Sequence, residues 1–450
     1  LFRTALCIGL VAVLAGVATA GPALDEEQVR LNVEAFDQVW TTIREKHFDP
    51  DLGGLDWPAV REELRPRVEA ATTMAEARGV MEEMLGRLGH SHVGIIPAEA
   101  YEAWDRPGSD RPGDGAAGLD VRVIDGRALV TAVWPGFPAE QAGVKPGWEL
   151  LRTGEKEVAP LVASLSEEFA GKPILDAELA LTLAYRLGGP VGETVGARFV
   201  DGEDREVDLE LPLVEPRGRL FRAGLLAPHH VWIESRRIDE RAGYIAFSNF
   251  TYPTYVMQVF NEAMASFLDL DGLVIDLRGN TGGLGAMVGW MAGWLVAEDD
   301  RSLGTIYMRE TTLRFVIQPR AETYSGPVAI LVDGLSASAS EVFASGLQEL
   351  GRARVFGSRT AGASLPAEFV GLVNGDTLIY PTSKHLTESG EMIEGVGVRP
   401  DVPVVPSRDE LLQGRDPVLE KALAWIAESG EPVEAGLARN NEPIKEVTRP

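Results

Sequence analysis

Apolar positions near the start of the chain recur at helical spacing. Phe36, Val39, Trp40 and Ile43 follow the three- and four-residue steps of one helix face. A second helix is expected to open at Trp57-Pro58, with proline in its first turn. A third is expected over Ala75–Leu88, with Met81, Met84, Leu85 and Leu88 on one side and Thr73 as its cap. Residues 25–100 therefore read as a helical domain. It closes on Leu88-Gly89-His90-Ser91-His92-Val93-Gly94, a polar knot beside apolar Val93, Ile95 and Ile96. Residues 101–116, rich in Pro, Gly and Asp, read as a loop. The pattern then switches to alternation, with strands expected over Gly118–Val123, Ala128–Val133 and Val195–Leu211 and a helical stretch over about 160–187. Residues 115–213 form this β-rich module, and 214–240, with scattered charge, read as a linker.

From residue 241 to 405 the apolar runs become continuous, as in strands covered on both faces. Leu273–Arg278 is such a run; it enters Gly279-Asn280-Thr281-Gly282-Gly283 and then an apolar helix from about Leu284 to Val296. Pro327–Val332 is another, followed by Leu335-Ser336-Ala337-Ser338-Ala339-Ser340 and a helix with Val342, Phe343, Gly346 and Leu350 at helical spacing. Two strand–turn–helix units predict a mostly parallel sheet, so the fold class is α/β. A serine in the second turn is placed either to cap a helix or to present its hydroxyl as a nucleophile, with the helix's first N–H groups facing developing negative charge. The sequence pattern leaves Ser336, Ser338 and Ser340 open for that role. Residues 406–450 hold one amphipathic helix, Val418–Ile426, and a polar end expected to be disordered.

Composition narrows the partners. A formal charge of -26 over 450 residues disfavours nucleic acid and anionic membranes. The one cysteine, Cys7, lies in an apolar run that starts after Arg3 and ends at Ala18-Thr19-Ala20. Residues 1–20 read as a cleaved signal peptide, which places the mature protein in the periplasm or outside the cell, without stable membrane insertion and without a thiol for disulfide, metal or nucleophile. No cofactor or metal is expected. The pair His229-His230 lacks a third ligand nearby and reads as surface.

Several motifs carry a family resemblance. Pro135–Trp148, with its Pro-Gly-Phe-Pro-Ala start and Lys-Pro-Gly end, resembles the signature of PDZ domains. Gly118, Leu119, Asp120 and Val121 look like the loop that receives a peptide carboxylate there; Trp148 stands where the family often has Asp. The order of a helical segment, Ser91-His92, this PDZ-like module, Asp276–Gly283, the serine turn and Glu394–Asp401 resembles serine peptidases of the C-terminal processing and tricorn group over residues 35–425. That resemblance implies a crotonase-like core with an inserted PDZ-like domain. In the C-terminal processing branch a lysine activates the serine; the matching position here is Ala363, and Ala367 stands where that branch tends to have glutamine. The tricorn-like branch uses a histidine, and Ser91-His92 matches its motif.

By this resemblance Ser338 is the nucleophile, His92 rather than His90 the base, and Ser91 and Glu394 its supports. The oxyanion would meet Ala339 N–H and an N–H from Gly282 or Gly283. The implied function is a serine endopeptidase that cleaves peptides or proteins through an acyl-enzyme. The alternative is a noncatalytic ligand- or peptide-binding protein on the same scaffold. Oligomeric state is left open. Asp276 with Arg278 reads as a structural ion pair, and Asp333 as a turn residue.

Overall fold

The computed structural model describes residues 23–99, 115–238 and 240–429. The expected signal peptide, most of the 101–116 loop and the polar C-terminal end lie outside them. Among the described residues no helix is long and apolar enough to cross a membrane.

The chain opens with helices α1 (Glu26–Lys46), α2 (Trp57–Glu69) and α3 (Met74–Gly86). Asp25 caps α1 through a reciprocal bond with Gln28, and Thr73 caps α3, as its position before the helix predicts. Their inner faces meet over Phe36, Val39, Leu64 and Met81. A short strand, β1 (Gly94–Ile96), follows.

The insert is a sheet of β2 (Leu119–Ile124), β3 (Arg127–Val133), β4 (Glu149–Thr153), β5 (Thr194–Val200) and β6 (Glu206–Pro212), paired in sequence order. Helices α4 (Ala159–Glu168) and α5 (Leu175–Arg186) cover it, with Leu165, Leu179 and Leu183 packed on Val130, Leu150 and Phe199.

Residues 214–240 differ from the expected linker. They hold a hairpin, β7 (Arg219–Ala223) with β8 (Leu226–Val231), and then β9 (Ile233–Ile238). Charged residues at 234, 236 and 237 hid β9, because an edge strand has one open side and tolerates charge. His229 is a second correction: it is buried, with Nε2 bonded to Thr251 Oγ1 at 2.9 Å and Nδ1 to Ala227 O at 2.9 Å.

The core sheet runs β9–β10 (Ala242–Phe247)–β11 (Gly272–Asp276)–β14 (Val328–Val332)–β15 (Arg354–Gly357)–β19 (Val402–Pro403). Only β9 is antiparallel to its neighbour; the other pairs are parallel. Helices α6 (Pro253–Phe267), α7 (Gly285–Ala292) and α8 (Ala339–Glu349) cover one face, and α9 (Pro417–Ser429) covers the other. Both faces are therefore dry, which is why these strands read as unbroken apolar runs. Strands β12 (Ser302–Met308) and β13 (Thr312–Val316) form a small sheet with β18 (Ser383–Leu386). Strands β16 (Ala367–Gly371) and β17 (Thr377–Pro381) form another, and β1 joins it by pairing Gly94 with Ile379. That pairing brings the polar knot before β1 to the core.

Candidate active site

Ser338 sits where β14 hands over to α8. Its backbone is at φ 54°, ψ -118°, a conformation unusual for a residue with a side chain. Such strain persists only where surrounding bonds enforce it. Ser338 N–H donates to Ala363 O at 2.8 Å and to Glu341 Oε2 at 3.1 Å. The three serines of this turn now separate. Ser336 Oγ donates to Leu277 O at 2.7 Å and receives Asp333 N–H at 3.0 Å. Ser340 Oγ lies 2.9 Å from both Asn280 O and Asn280 Oδ1. Both are wholly buried, whereas Ser338 is partly exposed. Packing thus leaves Ser338 as the serine a substrate can reach.

The glycine turn after β11 lies against it. A Cβ on Gly282, at φ 94°, would stand 2.6 Å from Ser338 Cβ, so only glycine allows this approach. The Gly282 N–H is already engaged by Asn280 Oδ1 at 3.0 Å. Gly283 N–H and Ala339 N–H donate no hydrogen bond among the described residues. Of the two glycines, Gly282 lies against Ala339 N, and Gly283 is the one whose N–H is not engaged among the described residues.

The polar knot before β1 supplies the second half. His92 is 3% exposed, and its Nδ1 lies 2.7 Å from Ser91 Oγ. Ser91 Oγ donates to Glu394 Oε2 at 3.0 Å, and Ser91 N–H donates to Glu394 Oε1 at 2.9 Å. Ser364 N–H adds a third donor to Glu394 at 2.8 Å. A hydroxyl has one proton, and a carboxylate only accepts. Ser91 therefore accepts from Nδ1–H, which leaves the lone pair on Nε2. That Nε2 is buried without a hydrogen-bond partner. No hydrogen bond joins it to Ser338. An unpaired buried nitrogen of this kind costs about 1–3 kcal/mol.

His90 takes a different course. Its Nδ1 meets His47 Nε2 at 3.2 Å, and the two rings stack. Of the two histidines in the knot, only His92 heads the Ser91–Glu394 chain. Burial pushes the His92 imidazole down to about 3. The sign of the linkage follows: the unfolded chain takes up a proton near 6.5 that the folded site refuses, so stability falls as pH drops from 6.5 toward 3. A His92→Gln variant should lose about 2 kcal/mol less than wild type between pH 7.5 and 5 in urea unfolding. Equal losses in the two proteins would show that His92 is protonated normally.

Three residues of this region were missed or undervalued in the sequence. Glu341 holds the nucleophile turn; its spacing from Ser338 is that of a capping box, a signal that could have found it. Asn280 ties the glycine turn to Ser340. Asp333 is more than a turn residue: it receives Gly279 N–H at 2.9 Å, Leu335 N–H at 3.1 Å and Arg122 Nε, from β2 of the insert, at 3.0 Å. Ala177 and Ala180 of α5 pack on Leu335, Ala337, Ala361 and Ala363, so the insert lies directly on this turn. In the insert, Gly118 to Val121 lead into and begin β2, with Gly118 against the Phe137 ring and Asp120 Oδ2 bonded to Trp134 Nε1 at 3.0 Å. As expected, Asp276 and Arg278 pair at 2.6 Å. Lys384, the one lysine between Pro327 and Val405, lies over the Tyr307 ring.

Comparison with known proteins gives relatives for the chain as a whole. Residues 241–404 match the model of Peptidase family S41, and residues 33–86 match that of the tricorn protease C1 domain. A tricorn protease homolog of Streptomyces coelicolor is 25% identical over 90% of this chain and 35% of its own length. The chloroplastic carboxyl-terminal-processing peptidase 3 of Arabidopsis thaliana is 28% identical over 81% of this chain and 67% of its own. The chain thus spans about a third of the tricorn homologues it matches. Among solved structures, mature CPAF superposes with a TM-score of 0.60 at 14% identity, covering 90% of this chain and 97% of that one. The photosystem II D1 C-terminal processing protease superposes at 0.55 and 20% identity, covering 87% and 97%. At these identities the superpositions speak to the fold alone.

Proposed function

We propose that the chain, which is similar to the C-terminal processing and tricorn-like serine peptidases, hydrolyses peptide bonds with Ser338 as nucleophile and His92 as base. The observation that carries this is the Glu394–Ser91–His92 chain, which ends in a buried, unpaired Nε2. Ser338 Oγ adds to the scissile carbonyl carbon as its proton passes to Nε2. The tetrahedral oxyanion is met by Ala339 N–H and Gly283 N–H. His92 then gives the proton to the leaving amine, and an acyl-enzyme remains. Water repeats the sequence and frees the acid. The imidazolium formed in each half is stabilised through Ser91 by Glu394. Ser338 and His92 must close on one another for this, a tightening common when substrate binds.

The apolar run ending in Ala18-Thr19-Ala20 supports export, and the Arg3–Ala20 pattern is its basis. The insert is read as a PDZ-like domain that receives a peptide end or gates the cleft; its contacts with the nucleophile turn support gating. Substrates are peptides or proteins.

Reaction with a fluorophosphonate, followed by peptide mapping, tests the assignment. A single adduct on Ser338 is expected. An adduct on another serine overturns the nucleophile, and no adduct together with saturable peptide binding favours a noncatalytic binder.

A further inference from the structure

The site is assembled from distant pieces of chain, and one buried side chain touches the segment that joins them. Glu341, wholly buried in the first turn of α8, gathers four donors. Oε1 receives Thr360 Oγ1 at 2.5 Å and Gly362 N–H at 2.8 Å; Oε2 receives Ala363 N–H at 2.9 Å and Ser338 N–H at 3.1 Å. The Thr360 hydroxyl accepts Val398 N–H at 2.6 Å, which leaves its proton for Glu341. The segment from Thr360 to Ser364 is also held from its other side. Ser364 N–H binds Glu394, and Gly395 N–H binds Gly362 O at 2.8 Å. Two carboxylates therefore grip one short stretch of backbone. Glu341 connects it to the nucleophile, and Glu394 connects it to Ser91 and His92.

Resting on the Ser338–His92 reading, we propose that Glu341 is a positioning residue that sets the nucleophile in register with the base through the 360–364 segment. An ordinary helix cap would hold one or two N–H groups of its own helix. Glu341 instead holds three donors from a segment more than a helical turn away in sequence, and it braces Ser338 in its strained backbone. The four groups facing it are donors, so the ionised form fits the shell and a neutral acid does not. Burial pushes this carboxyl up to about 7 against the lowering pull of those four bonds.

Glutamine has the right shape but the wrong polarity. In either amide orientation its NH2 faces at least one backbone N–H, from Ser338 and Ala363 or from Gly362. The nucleophile turn must then shift, while the substrate-binding surface stays intact. With the full chain, Glu341→Gln should lower kcat on a reporter peptide about 100-fold, leave KM within about threefold, and slow fluorophosphonate labelling of Ser338 by a similar factor. Thr360→Val, which removes one donor from outside the turn, should slow labelling about 10-fold, and Thr360→Ser, which keeps the hydroxyl, should recover the rate.

A folded Glu341→Gln protein that labels within threefold of wild type overturns the proposal while leaving the Ser338 assignment standing. A loss expressed in KM with kcat unchanged also overturns it. If Glu341→Gln does not fold, the Thr360 pair decides: slowing by Val with recovery by Ser supports positioning, and equal rates in both overturn it. A wild-type protein that takes no label overturns the nucleophile assignment and this proposal together.

Discussion

Ser338→Ala should abolish peptide hydrolysis and fluorophosphonate labelling while leaving the protein folded. The loss in kcat should be roughly 10,000-fold or more, because the acyl-enzyme cannot form without the Oγ, and what remains is the help that the oxyanion donors give to direct attack by water. Stability should change little. Ser338 is partly exposed, and the bonds that hold its turn come from its backbone N–H, from Ser336, from Ser340 and from Glu341, all of which the substitution keeps. Alanine must adopt the same positive φ, at a cost of about 1 kcal/mol, much as serine does. The discriminating comparison is Ser336→Ala. Loss of labelling in Ser336→Ala through unfolding, visible as a lowered melting temperature, is expected there; loss of labelling without any change in melting is expected only for Ser338. Activity surviving in Ser338→Ala would remove the central assignment.

The second large effect is expected at His92. His92→Gln should lower kcat by roughly 1,000-fold or more, with KM nearly unchanged, since the base acts on the reaction and not on substrate binding. The same change at His90 should be mild. His90 is bonded to His47 and stacked on it, and it makes no hydrogen bond to Ser91 or Glu394. If the two variants were equally active, the base would have to be sought elsewhere. Glu394→Gln should fall between them. It leaves Ser91 with a partner but allows the hydroxyl to turn, so the Nδ1 tautomer is no longer fixed. A kcat loss of about 10- to 100-fold is expected from a change of that kind.

These outcomes show how far the chain could be read without its fold. The α/β core was legible because β10, β11 and β14 are covered on both faces, and dry strands have to be apolar along their whole length. The helices of the first domain were legible from apolar spacing in α1 and α3, from the Thr73 cap and from the proline that opens α2. Strand β9 was not, because as an edge strand it carries Glu234, Arg236 and Arg237. His229 was misread as surface for a related reason. Its burial depends on the hairpin of β7 and β8 folding against Thr251, and nothing local in the chain announces that contact.

The site divides along the same line. Sequence by itself determined the chemical inventory: a serine in a strand-to-helix turn, a Ser–His pair, a glycine turn, and alanine at 363 where a lysine would stand in the other branch. It could not choose among Ser336, Ser338 and Ser340 from spacing, nor between Gly282 and Gly283. Tertiary contacts are what separate these groups, because burial and hydrogen-bond occupancy belong to neighbours distant in the chain. Leu277 and Asn280 take the hydroxyls of Ser336 and Ser340, and Asn280 takes the Gly282 N–H. Only the folded chain puts Ser91 against Glu394, more than 300 residues apart in sequence, through the pairing of β1 with β17 and the grip on Ser364. Residue types are written locally; which lone pair is left free is decided by everything packed around it.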